Sequence, residues 1–437
     1  MLLRERPVTC DAAYTGDYDF ILDPKLRHQF LRMVLRIMSE RDLAFQIKQT
    51  KLQKLSVYLY DPGLKASIRL ELWSHIEVKD PAHRTLNRIF WEDLYSHIHS
   101  GDKGYRLTSR VEALCYLSHL YTKNKSLESA EVAWRLNYYA ELMQKTGDLE
   151  VLKLYTALNS RQELTAAAAS ANSLLLDMGI LRNKRDMRAW WREKRESCIE
   201  NWHRKRMDKI NRRKLIPLVG PDGVGKTTLI EGMKAVLPGK FRYFRFKMQF
   251  RKSWLYRILY PLLRNSLRRH LGCNPSRNQV DDAYGGFTLM TGLIRYPLLR
   301  LRTWLAGYYL MDRYFYDHLL VNLRFFNRPN RLLKGWSTWL RFIPRPFWLI
   351  QLDAPSEVIL SRKKQLTPQD IETVRQWMFE FYLQKPAPYY LYINTSLPED
   401  VCLAYTRSIV GKLKPHHPFI RLLQRLIKKI FNINLSS

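Results

Sequence analysis

The sequence predicts an α/β protein organised on a strand, a glycine-rich loop and a helix, and three adjacent observations predict it. Residues 215–219 form a short apolar run of the kind that makes a buried parallel strand. Gly220-Pro221-Asp222-Gly223-Val224-Gly225-Lys226-Thr227 then fits G-x-x-x-x-G-K-[ST], the phosphate-binding loop. Leu229, Ile230, Met233, Val236 and Leu237 follow at helical spacing, and Pro238-Gly239 closes the helix.

The chemistry of this arrangement is specific. Gly220, Gly223 and Gly225 permit backbone conformations and close approaches that a side chain would block, so successive N–H groups converge on phosphate oxygens. The helix opening at Lys226 adds a partial positive charge of about half a unit. Lys226 is placed to reach the outer phosphates and the Thr227 hydroxyl to ligate Mg²⁺, with Thr228 ending the phosphate-binding set.

At 437 residues the chain is too long for one ordinary core, and two or three domains are expected. A hydrophobic content of 46% supports large cores. Lys and Arg number 73 against 40 acidic residues, and the net charge of +33 attracts anionic partners: polyphosphates, nucleic acid or anionic lipid headgroups. Cys10, Cys115, Cys198, Cys273 and Cys402 show no C-x-x-C spacing, which argues against zinc and a disulfide framework and for a reducing compartment. The first residues lack a signal-peptide core and no run of 18 apolar residues occurs, so the expected location is cytoplasmic, with peripheral contact at the inner membrane face as an option.

Four parts are expected: residues 1–80, 81–211, 212–413 and 414–437. In the first, Tyr18 to Leu22 reads as a strand, Lys25 to Glu40 as a helix, and Lys54 to Tyr60 and Ser67 to Glu77 as two further strands. Asp17 and Asp19 stand two apart and so project from one face of their strand. With Glu71 from a neighbouring strand they form a candidate Mg²⁺ site, the alternative being ordinary turn and strand-edge acids. Residues 85–210 read as helical, over Arg110–Tyr121, Glu128–Gln144 and Glu150–Thr165. Arg182 to Lys214 is a basic helix carrying Trp190, Trp191 and Trp202, suited to phosphates or headgroups, or to packing its aromatics on a neighbour.

In the third part, Phe241–Phe250 reads as a strand. Trp254, Leu255, Ile258, Leu259, Leu262 and Leu263 read as one apolar helix face opposed by Arg257, Arg264, Arg268 and Arg269, for core packing or for covering substrate or membrane. Gly307–Leu319 brings Asp312-Arg313-Tyr314 to the carboxyl edge of a parallel sheet, where ligands bind in open α/β folds. There a carboxylate can hold the metal's water shell or the acceptor, and an arginine can clamp a phosphate. Phe347–Ala354 reads as another buried strand, and Arg362, Lys363 and Lys364 lie at a helix end, where a lid over phosphates needs charge. Helices over Ile371–Tyr382 and Pro398–Lys412 flank a last strand, Tyr389–Asn394.

Residues 214–412 resemble the thymidylate kinase group of P-loop nucleoside monophosphate kinases. The motifs that carry the likeness are Gly220 to Thr228 with its acid Asp222, Asp312-Arg313-Tyr314, Leu352-Asp353-Ala354-Pro355 and Arg362-Lys363. The resemblance implies a parallel-sheet kinase domain with flanking helices; the reading of residues 1–211 puts a small α/β unit and a helical domain before it. It implies ATP and Mg²⁺ as cofactors, with Lys226, Asp222, Asp312, Arg313 and Arg362 catalytic and Thr227 and Asp312 at the metal. The basic stretch 251–306 is longer than an acceptor-nucleotide segment of that group, so the acceptor is left open between a nucleotide, an envelope saccharide precursor and a polynucleotide end. The first 80 residues resemble, thinly, a nucleotidyltransferase-like domain that lacks the usual upstream Gly-Ser turn.

The tail from Pro418 to Leu435 reads as a basic amphipathic helix for an anionic membrane or for the protein's own body. A membrane-associated nucleotide-binding scaffold without transfer is the rival to the kinase expectation. Nucleic acid as a partner is permitted by the charge but carried by no recognised module.

Overall fold

The computed structural model describes residues 2–5, 15–40, 44–49, 51, 53–61, 66–79, 81, 86–101, 104–181, 187–211, 215–236, 241–245, 251–283, 291–299, 308–317, 343–363, 367–384 and 386–410. The expected tail helix and Lys364 of the basic run lie outside these. Two compact units divide the chain: Met1–Gln29, Thr50–Tyr58 and Ala66–Lys205 form one, and Phe30–Gln49, Leu59–Lys65 and Arg206–Ser437 the other.

The second unit is built on five parallel strands. Their order is Phe241–Arg245, Tyr308–Asp312, Leu215–Val219, Trp348–Asp353 and Tyr389–Asn394. Leu215–Val219 is central and wholly buried, and it carries its loop out between two neighbours at their carboxyl ends. Ile216, Leu218, Ile350, Leu352, Leu391 and Ile393 pack with Leu229, Ile230 and Met233 of the helix Lys226–Val236 in one apolar cluster. Each such side chain contributes about 1.5–3 kcal/mol on burial, so the layer that fixes the loop is also the layer that stabilises the unit.

An upstream strand, Ala44–Lys48, extends this sheet, antiparallel to Tyr389–Asn394 with Phe45 opposite Tyr392. Phe45 is fully buried and stacks on Tyr392 at 4.6 Å. Arg32, on the helix Arg27–Ser39, holds Glu380 on the helix Pro368–Gln384 at 2.9 Å. The sequence reading placed no strand at 44–48, because the pairing partner lies more than 300 residues downstream.

In the first unit, Thr15–Ile21 runs parallel to Ala66–Trp73 with Asp19 opposite Glu71. The single strand expected over Ser67–Glu77 is divided at Ser74, and its second part, His75–Lys79, pairs antiparallel with Leu86–Phe90. Ser109–Thr122, Ala130–Thr146, Leu149–Thr156 and Arg161–Asp177 are helices around Val111, Leu114, Leu117, Ala171 and Leu175. The helix expected over Glu150–Thr165 is two helices, since the Ser160 hydroxyl accepts from the Glu163 N–H and caps a new start. The region expected to be wholly helical also contains the strands Leu86–Phe90, Ile98–Gly101 and Gly104–Leu107, each too short to display a period.

The basic helix spans Met187–Asn211, and its Trp191 and Trp202 stand 62% and 61% exposed. Cys115, Cys198, Cys273 and Cys402 are free thiols, and Cys10 lies outside the described residues. Among the described residues no helix is long and apolar enough to cross a membrane.

Candidate phosphate-binding site

The loop between Val219 and Lys226 turns sharply on glycines with positive φ. Gly220 has φ of 151°, and a Cβ there would lie 2.3 Å from the Leu352 carbonyl oxygen, so only glycine lets the loop leave the sheet against its neighbour. A Cβ on Gly225 would meet only the Arg362 guanidinium, at 4.0 Å, so the loop's inner side faces a cation rather than a packed wall. The helix begins at Lys226 with the Leu229 N–H donating to the Gly225 carbonyl at 3.0 Å. Its first N–H groups point back into the loop without intrahelical partners, as at any helix start.

Lys226 is buried, and its ammonium donates to the carbonyls of Gly220 and Pro221, both at 2.7 Å. Burial lowers its pKa, with Asp222 pulling the other way from 3.7 Å. Thr227 and Thr228 are exposed on the first turn.

Asp312 ends its strand beside Leu218, the residue that precedes the loop by two, so register alone delivers the Asp-Arg pair to the phosphate loop. Arg313 donates to the Asp222 carboxylate at 2.6 Å. Its backbone is left-handed, with φ of 69°, and its N–H donates to the Leu218 carbonyl at 3.1 Å. A non-glycine residue held there costs of order 1 kcal/mol or more, offset here by the ion pair and the ladder bond. Asp312 accepts from the Tyr243 hydroxyl at 3.2 Å.

Burial alone would push the Asp222 carboxyl up, but Arg313, Lys226 and Lys363 outweigh it and hold the group at about 2. Unfolding returns it to the ordinary 3.8, so this carboxylate favours the folded state above that pH and loses its contribution as pH falls toward 2. Arg313→Ala is expected to move the Asp222 titration up toward 3.8, read by carboxyl ¹³C NMR. An unchanged titration would mean that the two lysines suffice.

Asp317 is a site residue the sequence reading passed over. It accepts from the Tyr314 N–H at 2.8 Å and is pushed up to about 6 by burial, against the pull of the Lys226 and Arg313 cations. The signal was present in Asp312-Arg313-Tyr314-Phe315-Tyr316-Asp317, but only the turn geometry brings the second acid inward.

Arg362 donates to the hydroxyl and carbonyl oxygens of Thr395, at 3.2 and 2.7 Å, which fix it beside the loop. Asp353, carried in the sequence as part of a motif, is fully buried and held by Arg375 at 2.8 Å and by the Tyr392 hydroxyl at 2.7 Å. It braces the sheet end.

In the first unit, Asp19 and Glu71 line a cavity of about 450 Å³ together with Lys54 and Trp73. Asp19 accepts from the Trp73 indole at 3.1 Å, while Glu71 is bound by Lys54 and lies 3.3 Å from Arg69. A metal at Glu71 would compete with Lys54. The Asp17 side chain lies outside the described residues, and among those described no group of three or more His, Cys, Asp or Glu converges on a metal position.

A buried strand, a loop of the sequence G-x-x-x-x-G-K-T and a helix, within a mostly parallel sheet flanked by helices, make up a P-loop α/β fold. No protein-family model matches the sequence, and no curated protein does. Among solved structures the chain is similar to deoxyadenosine kinase from M. mycoides with bound dCTP, at 14% identity over 46% of this chain and 100% of that one, with a TM-score of 0.30. It is similar also to thymidylate kinase from Candida albicans, at 18% identity over 45% of this chain and 91% of that one, with a TM-score of 0.34.

Proposed function

We propose that the second unit is an ATP-dependent phosphotransferase of the nucleoside monophosphate kinase type. The observation that supports this most is the 2.6 Å pairing of Arg313 with Asp222, which joins the Asp-Arg strand end to the loop holding Lys226. Two elements some 90 residues apart thereby share one anion-binding corner.

The residues suit a triphosphate. The loop amides and the start of an 11-residue helix supply donors, and Lys226 supplies a buried cation already desolvated. A phosphate oxygen offers the ammonium a charged acceptor in exchange for the neutral carbonyls of Gly220 and Pro221. Thr227 and Asp312 offer the hydroxyl and carboxylate oxygens that Mg²⁺ takes alongside water, and the ion would neutralise phosphate charge. Thr228 extends the same turn.

Asp222, held ionised by its cations, is a weak base and serves to orient the acceptor and Arg313 rather than to remove a proton. Arg313, bonded to Asp222, and Arg362, beside Gly225, are two cations at the loop that would neutralise charge as the phosphoryl group moves.

The test is transfer from γ-labelled ATP to a panel of nucleoside monophosphates, sugar phosphates, glycolipid precursors and polynucleotide ends. Label appearing on one small acceptor class is the expected result. Tight ATP binding without transfer to any acceptor would overturn the reading in favour of a nucleotide-binding scaffold.

A further inference from the structure

The helix Trp254–Leu271 divides its apolar residues between two faces rather than gathering them on one. Tyr256, Tyr260, Leu263 and Leu267 face inward, where Leu267 and Val280 form a small core. That side is fastened by Asp281, which accepts from Arg251 at 2.9 Å and from the Tyr256 hydroxyl. The expected single face over Trp254 to Leu263 is therefore corrected: Trp254, Ile258 and Leu262 point outward, at 67%, 60% and 63% exposure.

At about 100° per residue these three lie within roughly 80° of arc, a continuous stripe along two turns. Arg257, Arg264, Arg268 and Arg269 are exposed around and beyond it, and the helix contains no Asp or Glu. Inward packing explains none of this, since the helix is anchored through its other side. A surface helix ordinarily turns polar side chains outward.

We propose that this outward face is a docking surface for an anionic lipid bilayer. Trp254, Ile258 and Leu262 enter the boundary between headgroups and acyl chains, and the arginines engage lipid phosphates. Charge complementarity identifies the occupant: the face is wholly cationic on a chain of net charge +33. A nucleic acid would satisfy the arginines, but Ile258 and Leu262 offer bases no ring to stack on. The proposal uses none of the residues of the phosphate loop, so it stands or falls independently of the kinase reading.

The test is flotation of the full chain with phosphatidylcholine vesicles, with and without phosphatidylglycerol. The chain is expected to float with the anionic vesicles, less so as salt is raised. The triple variant Trp254→Ser, Ile258→Ser, Leu262→Ser is expected to bind at least about tenfold more weakly, with an unchanged circular dichroism melt. Ile258→Glu, which places a carboxylate on the stripe, supplies a second variant with the same expected loss.

Undiminished flotation of both variants would overturn the proposal, moving membrane contact to another surface. Failure of the unmodified chain to float would overturn it as well. So would a dimer in solution that the triple variant splits, or oligonucleotide binding that it abolishes, in the absence of flotation.

Discussion

Lys226→Ala is expected to reduce phosphoryl transfer by about 100- to 1,000-fold while leaving the chain folded. The ammonium is the one loop cation already stripped of water, held by the Gly220 and Pro221 carbonyls and aimed from the start of the helix. Removing it takes away charge stabilisation that water in the resulting space cannot replace. Two neutral carbonyls at a loop are readily solvated, so the melting temperature should change little. Lys226→Arg should rescue only a fraction, because a planar guanidinium does not fit a space shaped for a compact ammonium. Turnover near the unmodified level in Lys226→Ala would remove the loop from the chemistry altogether.

Arg375→Leu is expected to give the largest loss of stability, about 3–5 kcal/mol, seen as a lower urea midpoint. Asp353 has no exposure, and without Arg375 its charge is left with one hydroxyl, that of Tyr392. Adding Asp353→Leu to Arg375→Leu should recover much of the loss, because the stranded charge leaves with its partner. What remains is the Tyr392 hydroxyl without its acceptor, a matter of about 1–3 kcal/mol. A single variant as stable as the parent would mean that water reaches Asp353.

The loop was readable because its chemistry is local: eight consecutive residues specify turn, cation and hydroxyl. The arrival of Asp312 and Arg313 was readable by a longer route, from an apolar run that ends in a charge and therefore at a sheet edge. What the sequence concealed is what depends on distant partners. Nothing near Asp353 announces Arg375, and nothing near Ala44 announces Tyr392. The left-handed backbone at Arg313 was equally hidden, since it is imposed by the Leu218 carbonyl and the Asp222 carboxylate rather than preferred by arginine. Apolar periodicity located the helix at 254–271 but could not say which stripe faces in, since both are hydrophobic. Leu215–Val219 holds a central position despite Pro217, a residue that local rules would move to an edge.

The strand Ala44–Lys48 bears on inheritance as well as on architecture. Its backbone groups satisfy those of Tyr389–Tyr392, and Phe45 shields the ring of Tyr392. A gene cut at the border near residue 212 would pass on the loop, the arginines and the parallel strands with one flank of hydrogen-bonding groups bare, an invitation to self-association. Recombination that moves this segment intact must carry the strand Ala44–Lys48 along, so the two stretches are bound to evolve together.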